Sequence, residues 1–219
     1  MAVKIICGDA ADYKVKADLI FTDPPFELDG KQLAEILNQY ESDHLVMICS
    51  MKQLLEFSKH TDFKLNFDLV IDLVAPKQSK SANQPFYRHA NVVYMTRNGA
   101  KTRFNRKRSM RLDVLSGESG YFPTIVVANS ERKQEHGHAK NMDAIFGILT
   151  CFNIKSIVDP FAGSGTTALA CLDINERIIN STKFAKDRLS INDITLIEKD
   201  QDNANNIEQT LNFLGVLTT

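Results

Sequence analysis

Short apolar, β-branched runs recur along the chain, and between them lie stretches whose apolar residues fall three and four positions apart. The runs cover 3–7, 18–22, 45–48, 69–74, 90–95, 156–158 and 194–197, and helical spacing covers 31–38, 51–59, 142–151, 164–172 and 202–213. A strand followed by a helix re-enters the sheet parallel to itself, with the helix laid on one face. The pattern therefore predicts an α/β fold: a mostly parallel, twisted sheet with helices on both faces. At 219 residues the chain is read as one domain, 1–219.

Two stretches break this rhythm at strand ends. The first is Phe21-Thr22-Asp23-Pro24-Pro25-Phe26, directly after the run at 18–22. Each proline fixes φ near −65° and lacks an amide donor, so the strand stops abruptly and the backbone there has little freedom. Read alone, the stretch is equally a rigid turn. The second is the segment 156–171, SIVDPFAGSGTTALAC, in which a short strand ends at Asp159-Pro160 and a turn carries Gly163 and Gly165 before a helix. Glycines let a backbone pass close to a ligand, and a helix N-terminus presents unpaired N–H groups. Residues 163–168 satisfy the GxGxxA pattern of dinucleotide-binding folds. Two details count against a nicotinamide enzyme: no clean second strand ends in an acid about twenty residues on, and Asp-Pro-Phe is an unusual lead-in. There is no GK[ST] and hence no P-loop.

Charge and cysteines narrow the classes further. The net charge is −1, with 43% hydrophobic and 24% charged residues, ordinary for a folded soluble protein. The charge is unevenly spread. Arg97, Lys101, Arg103, Arg106, Lys107, Arg108 and Arg111 follow one another with no acid between them, a cluster suited to a polyanion. Residues 77–84 are polar and loop-like, and 98–120 form a basic, then Gly/Ser-punctuated excursion. Cys7, Cys49, Cys151 and Cys171 show no metal-ligand spacing, so reduced, mostly buried thiols and no metal are expected. No apolar run reaches the ~18 residues of a membrane span, and the N-terminus is too short in apolar residues for a signal peptide; a cytoplasmic protein is expected.

Together the motifs resemble those of S-adenosylmethionine-dependent DNA amino-methyltransferases. DPFAGSGTT resembles that family's cofactor loop and DPPF its catalytic tetrapeptide, usually DPPY. The catalytic motif comes first here, an order similar to the circularly permuted β group. The resemblance implies a Rossmann-like methyltransferase fold. It implies a cofactor site of Asp9, Ala10, Asp159, Phe161, Ala162, Gly163, Ser164, Gly165, Thr166 and Thr167, with Lys140 in the HGHAKN segment as a carboxylate partner. Glu198, ending TLIEKD, would bind the ribose hydroxyls. Asp23, Pro24, Pro25 and Phe26 would form the base site, and the seven basic residues of 97–111 would contact DNA within a short target-recognition segment at about 98–120. The chain departs from the family at Phe26, which lacks the tyrosine hydroxyl, and at Asn141, where proline is usual. The separation of Gly165 from Glu198 is also long. Either residues 175–193 are an insertion, or the second strand is RIIN at 177–180 and the ribose acid lies elsewhere.

The resemblance further implies methyl transfer from S-adenosyl-L-methionine to the N6 amine of adenine in DNA, without a metal. The target would be flipped out of a duplex or supplied single-stranded, and Phe26 would stack on it. Short or relaxed sequence specificity is expected, in a bacterial or phage context such as restriction–modification, as a monomer or homodimer acting on DNA rather than RNA. Cytosine-N4 methylation, a non-catalytic nucleic-acid-binding subunit and a nicotinamide oxidoreductase stand as alternatives.

Overall fold

Strands β1 (Ala2–Cys7), β2 (Leu19–Thr22), β3 (His44–Cys49), β4 (Lys64–Lys77), β5 (Tyr87–Thr96), β6 (Ile125–Val127), β7 (Ser156–Asp159) and β8 (Asp193–Glu198) join into one sheet ordered β1-β8-β7-β2-β3-β5-β4-β6. The computed structural model describes residues 2–77, 82–83, 85–108, 122–127, 142–180, 190–216 and 218. Every pairing is parallel except those of β5, which runs antiparallel to both β3 and β4. One strand is thus reversed within an otherwise parallel sheet.

The apolar runs carry little alternation because both faces of the central strands are buried. Leu19, Phe21, Val46 and Ile48 face a core formed with helices α3 (Met142–Thr150), α4 (Thr166–Asn180) and α5 (Gln201–Phe213). Ile20, Leu45, Met47 and Cys49 face the opposite core, closed by α1 (Gly30–Asn38) and α2 (Met51–His60). Helix α1 presents Leu33, Ala34 and Leu37, all buried, at the spacing of a single helical face. Each large apolar side chain so buried contributes roughly 1.5–3 kcal/mol. Both helices begin with a capping box, Asp29 with Gln32 and Ser50 with Gln53, which satisfies amide groups left over by the first turn.

The structure extends two of the sequence readings, adds a strand and corrects one reading. Strand β4 is much longer than 69–74, and β6 is a three-residue strand that the sequence pattern did not predict. Helix α4 starts at Thr166 and runs to Asn180. The alternative that RIIN forms a second strand is wrong: Arg177–Asn180 is the last turn of α4. Arg177 donates from Nε to Asp173 one turn earlier at 2.8 Å and stacks on Phe146, and Ile174 and Ile178 share the buried face. Residues 181–189, the middle of the presumed insertion, lie outside the described residues. At its far end Asn175 holds Ile191 in both directions, donating from Nδ2 to its carbonyl at 2.7 Å and accepting its N–H at 2.8 Å. The strand after this connection is β8, ending at Glu198.

Candidate active site

Strands β7 and β2 are parallel neighbours, Leu19 facing Ile157 and Ile20 facing Val158. The chain leaves β7 through α4 on one face of the sheet and leaves β2 through α1 on the other. Such a reversal opens a crevice beyond the carboxyl ends of the two strands. Asp159 ends β7 and Asp23 follows β2, so the topology brings two motifs distant in sequence to one edge. Asp9 after β1, Glu198 at the end of β8, and Cys49-Ser50 at the end of β3 lie along the same edge.

On the β7 side the loop is tied from within. Asp159, 2% exposed, accepts the Phe161 N–H at 3.1 Å on one oxygen and the Thr167 hydroxyl at 2.5 Å on the other. Gly163 and Gly165 have φ of +56° and +77°, conformations costly for a residue with a Cβ. The Gly163 N–H donates to Glu198 at 2.7 Å, and the other Glu198 oxygen accepts the Asp200 N–H at 2.9 Å. Ala162 donates its N–H to the Ile197 carbonyl at 3.0 Å, and Ser164 and Thr166 hydroxyls lie 3.0 Å apart. Strand β8 therefore supports the glycine loop along its length. A Cβ placed on Gly163 would meet no atom within 4 Å, so the backbone there faces open space.

Asp9 caps a short 3-10 turn that contains buried Ala10. It accepts the Ala11 N–H at 3.0 Å and the Lys199 ammonium at 2.8 Å, and that ammonium is the main reason its carboxyl sits below the usual range. The Tyr40 hydroxyl donates to the Ala10 carbonyl at 2.8 Å. Burial raises the Tyr40 hydroxyl pKa, and the Asp159 and Asp9 charges raise it further. Burial likewise pushes the Cys49 thiol up to about 12, with the Asp23 carboxylate adding to the shift. Carboxylates thus recur along the edge, with the Lys199 ammonium paired to one of them.

On the β2 side, Asp23 is half-buried, Pro24 buried and Pro25 exposed, and the Phe26 ring is 67% exposed. The loop closes with the Leu28 N–H on the Pro25 carbonyl at 3.2 Å. A residue that the motif reading missed fixes it. Gln53, 4% exposed, donates through Nε2 to the carbonyls of Pro25 and Leu28, both at 3.0 Å. Its Oε1 accepts the N–H and hydroxyl of Ser50, both at 3.2 Å. The sequence did carry a signal: Ser50-x-x-Gln53 directly after a strand is a capping box whose glutamine sits within reach of the neighbouring strand end.

The basic residues lie elsewhere. Because β5 is antiparallel, with His44 facing Thr96 and Cys49 facing Asn91, the segment after it emerges where β3 begins. Six residues of β3 separate the two edges, about 20 Å. Arg97 is turned inward: it bonds the carbonyls of Asn38 and Tyr40 and its guanidinium lies 4.6 Å over the Phe63 ring. Arg103 pairs with Asp18 at 3.2 Å and bonds the Asn153 carbonyl at 3.2 Å. Lys101, Arg106 and Lys107 are exposed at this far edge, where Arg108 closes a 3-10 turn. An open hollow of about 700 Å³ there is lined by Lys101, Arg103, Phe104, Arg106 and Asn153, none of them a motif residue. The structure thus brings together Asp9, Ala10, Asp23, Pro24, Pro25, Phe26, the 159–167 loop and Glu198, and separates them from the basic run. Arg111 and Lys140 lie outside the described residues, as does most of the 98–120 segment. Among the described residues no cluster of three or more His, Cys, Asp or Glu could hold a metal, and no helix is long and apolar enough to cross a membrane.

No protein-family model and no curated protein sequence matches the chain. Solved structures do. The crystal structure of the M1.HpyAVI–SAM complex superposes with a TM-score of 0.66 at 18% identity, over 95% of this chain and 100% of that one. TTHA0409 of Thermus thermophilus, described provisionally as a DNA modification methylase, superposes in its S-adenosyl-L-methionine complex with a TM-score of 0.63 at 11% identity, over the full length of both chains. Its selenomethionine form gives 0.60 at 12% identity, over 94% and 93%. The chain has the Rossmann-like fold of these proteins.

Proposed function

We propose that this chain is an S-adenosylmethionine-dependent DNA methyltransferase that modifies the exocyclic N6 amine of adenine. The observation that carries the reading is the meeting of Asp23-Pro24-Pro25-Phe26 with the 159–167 glycine loop at the ends of neighbouring strands. The shared fold with M1.HpyAVI and TTHA0409, both crystallised with S-adenosylmethionine, supports it.

The residues present fit that cofactor. Open space beside Gly163 admits a ligand against the loop, and the α4 N-terminus offers amide donors to a carboxylate. Glu198 uses one lone pair on each oxygen for the loop and keeps others for hydroxyl donors, as a ribose would require. The acidic edge suits a cationic sulfonium. When bound, S-adenosylmethionine supplies an electrophilic methyl group.

The chain's own part is to present the amine. An exocyclic amine is a poor nucleophile because its lone pair is delocalised into the ring. The Asp23 carboxylate and the Pro24 carbonyl accept its two hydrogens, favour sp3 character and stabilise positive charge as it develops on nitrogen. Gln53 holds the backbone immediately after them, so the acceptors are oriented in advance. Phe26 gives an extruded base a platform; stacking of this kind is worth about 1–3 kcal/mol and needs no hydroxyl.

The test is incubation with labelled S-adenosylmethionine and duplex or single-stranded DNA, followed by digestion to nucleosides. N6-methyladenine is the expected product. N4-methylcytosine would redirect the base assignment, and label on neither base would overturn the reading. Mapping the methylated positions on random-sequence DNA tests short specificity, which six defined bases would contradict.

A further inference from the structure

A methyltransferase built this way meets an electrostatic difficulty at its own site. The strand-end edge carries Asp9, Asp23, Asp159 and Glu198 against the one Lys199 ammonium paired with Asp9, and a polyanion brought to it meets net negative charge. The basic run after β5 lies about 20 Å away at the opposite edge, and its Arg97 and Arg103 are engaged within the protein. Cations on the near edge must do this work.

A two-stranded element projects from the near edge. Strand β3 ends at Cys49, opposite Asn91, but β5 begins at Tyr87, four residues further out. Strand β4 accompanies it, Asp72 facing His89 and Lys77 facing Tyr87, with the irregular residues 73–76 between. The two-stranded ribbon therefore stands about 13 Å beyond the end of β3. No acidic residue occurs in the chain between Asp72 and Asp113, while Lys77, Arg88 and His89 belong to the ribbon. Phe86 and His89 are exposed. Arg88 is 63% exposed and pairs with Asp72 through Nε at 3.1 Å and Nη2 at 3.3 Å. The guanidinium stands largely in solvent, and a phosphate offers the same fork of donors an equivalent partner.

Building on the DNA reading, we infer that the β4–β5 ribbon is the arm that grips the sugar–phosphate backbone beside the target base, with Arg88 exchanging Asp72 for a phosphate. The arm offsets the acidity of the edge where the chemistry occurs. Its dimensions suit a duplex: a two-stranded ribbon reaches along a groove wall where a single loop would not.

The experiment measures affinity for a fluorescent DNA duplex across a salt series, in the presence of S-adenosylmethionine. Arg88→Ala is expected to weaken binding about tenfold near 0.1 M salt and to flatten the salt slope by about one, the signature of one lost phosphate contact. Asp72→Asn is expected to tighten binding, because it frees Arg88 and removes a repelling charge. A purely structural role for the pair predicts the opposite sign for Asp72→Asn, so that both variants bind more weakly, and that result overturns the inference. So does an unchanged slope in Arg88→Ala together with a reduced one in Lys101→Ala, which would assign the grip to the far edge. Melting temperature and cofactor affinity, read in parallel, exclude misfolding as the cause. If the unmodified protein transfers methyl groups to another acceptor and binds no DNA, the DNA reading itself fails, a result distinct from failure of the arm.

Discussion

Loss of Gln53 should separate chemistry from cofactor binding. Its amide donates to the Pro25 and Leu28 carbonyls and accepts from Ser50, from a position 4% exposed. Gln53→Leu keeps the bulk and removes every one of these bonds. At about 0.5–1.5 kcal/mol for each of these four hydrogen bonds the loss is about 2–6 kcal/mol, which in a chain of this size lowers Tm by roughly 4–24 °C. The kinetic effect is larger than folding accounts for. Asp23 and Pro24 sit immediately before the freed carbonyl, and displacing such acceptors by ~1 Å costs about 100-fold in kcat. The glycine loop hangs instead on β7, β8 and Glu198, so affinity for S-adenosylmethionine should change less than threefold (below ~1 kcal/mol). The assay pairs calorimetric titration of the cofactor with single-turnover methyl transfer below the variant's melting transition. If kcat stays within twofold of the unmodified protein, loop orientation does not depend on Gln53. If cofactor affinity falls in step with kcat, the residue acts on the whole edge and the clamp idea is wrong.

Three further outcomes follow from the geometry. Gly165→Ala forces a Cβ into a residue at φ +77° and to 3.1 Å from Ile207, whereas Gly163→Ala at φ +56° meets open space; thermal melts should show the first losing more than the ~1–2 kcal/mol of left-handed strain alone, and the second should lose cofactor affinity more than stability. Phe26→Ala should weaken DNA binding by about 1–3 kcal/mol with little change in Tm, since the ring is 67% exposed, while Phe26→Tyr should retain activity. The Lys199 ammonium depresses the Asp9 carboxyl and is itself raised by it; the pair's contribution is present between the two groups' unfolded values, lost as pH falls through the lowered Asp9 value and lost again as it rises through the raised Lys199 value. Asp9→Asn should therefore matter at neutral pH and low salt and cease to matter in acid, a difference that pH-resolved melts would detect.

Much of the sheet was legible because its central strands are buried on both faces and read as unbroken apolar runs, each ended by a conspicuous residue: Asp23-Pro24, Ser50, Asp159-Pro160, Glu198. The helical pattern at 164–172 ended early because Arg177 and Asn180 look polar, yet Ile174 and Ile178 continue the buried face to the last turn. Strand β6 offered three residues, too few for a period. What local pattern could not convey was direction. A strand's sequence reads the same whether it runs up or down the sheet, so the reversal of β5 was hidden, and with it the edge at which Arg97 and Arg103 emerge. Gln53 was hidden differently: its capping role was visible, its grip on a loop 28 positions earlier was not.

The adjacency of β7 and β2 has a consequence for descent. The site is assembled by lateral neighbours in the sheet, and nothing in that arrangement depends on which strand the ribosome makes first. A lineage can therefore shuffle the order of its segments, or let nearly every other position drift, while the meeting of two strand ends stays intact. The fold is kept in a place rather than in a reading order, and chains agreeing at 18% of positions or fewer share it over almost their whole length.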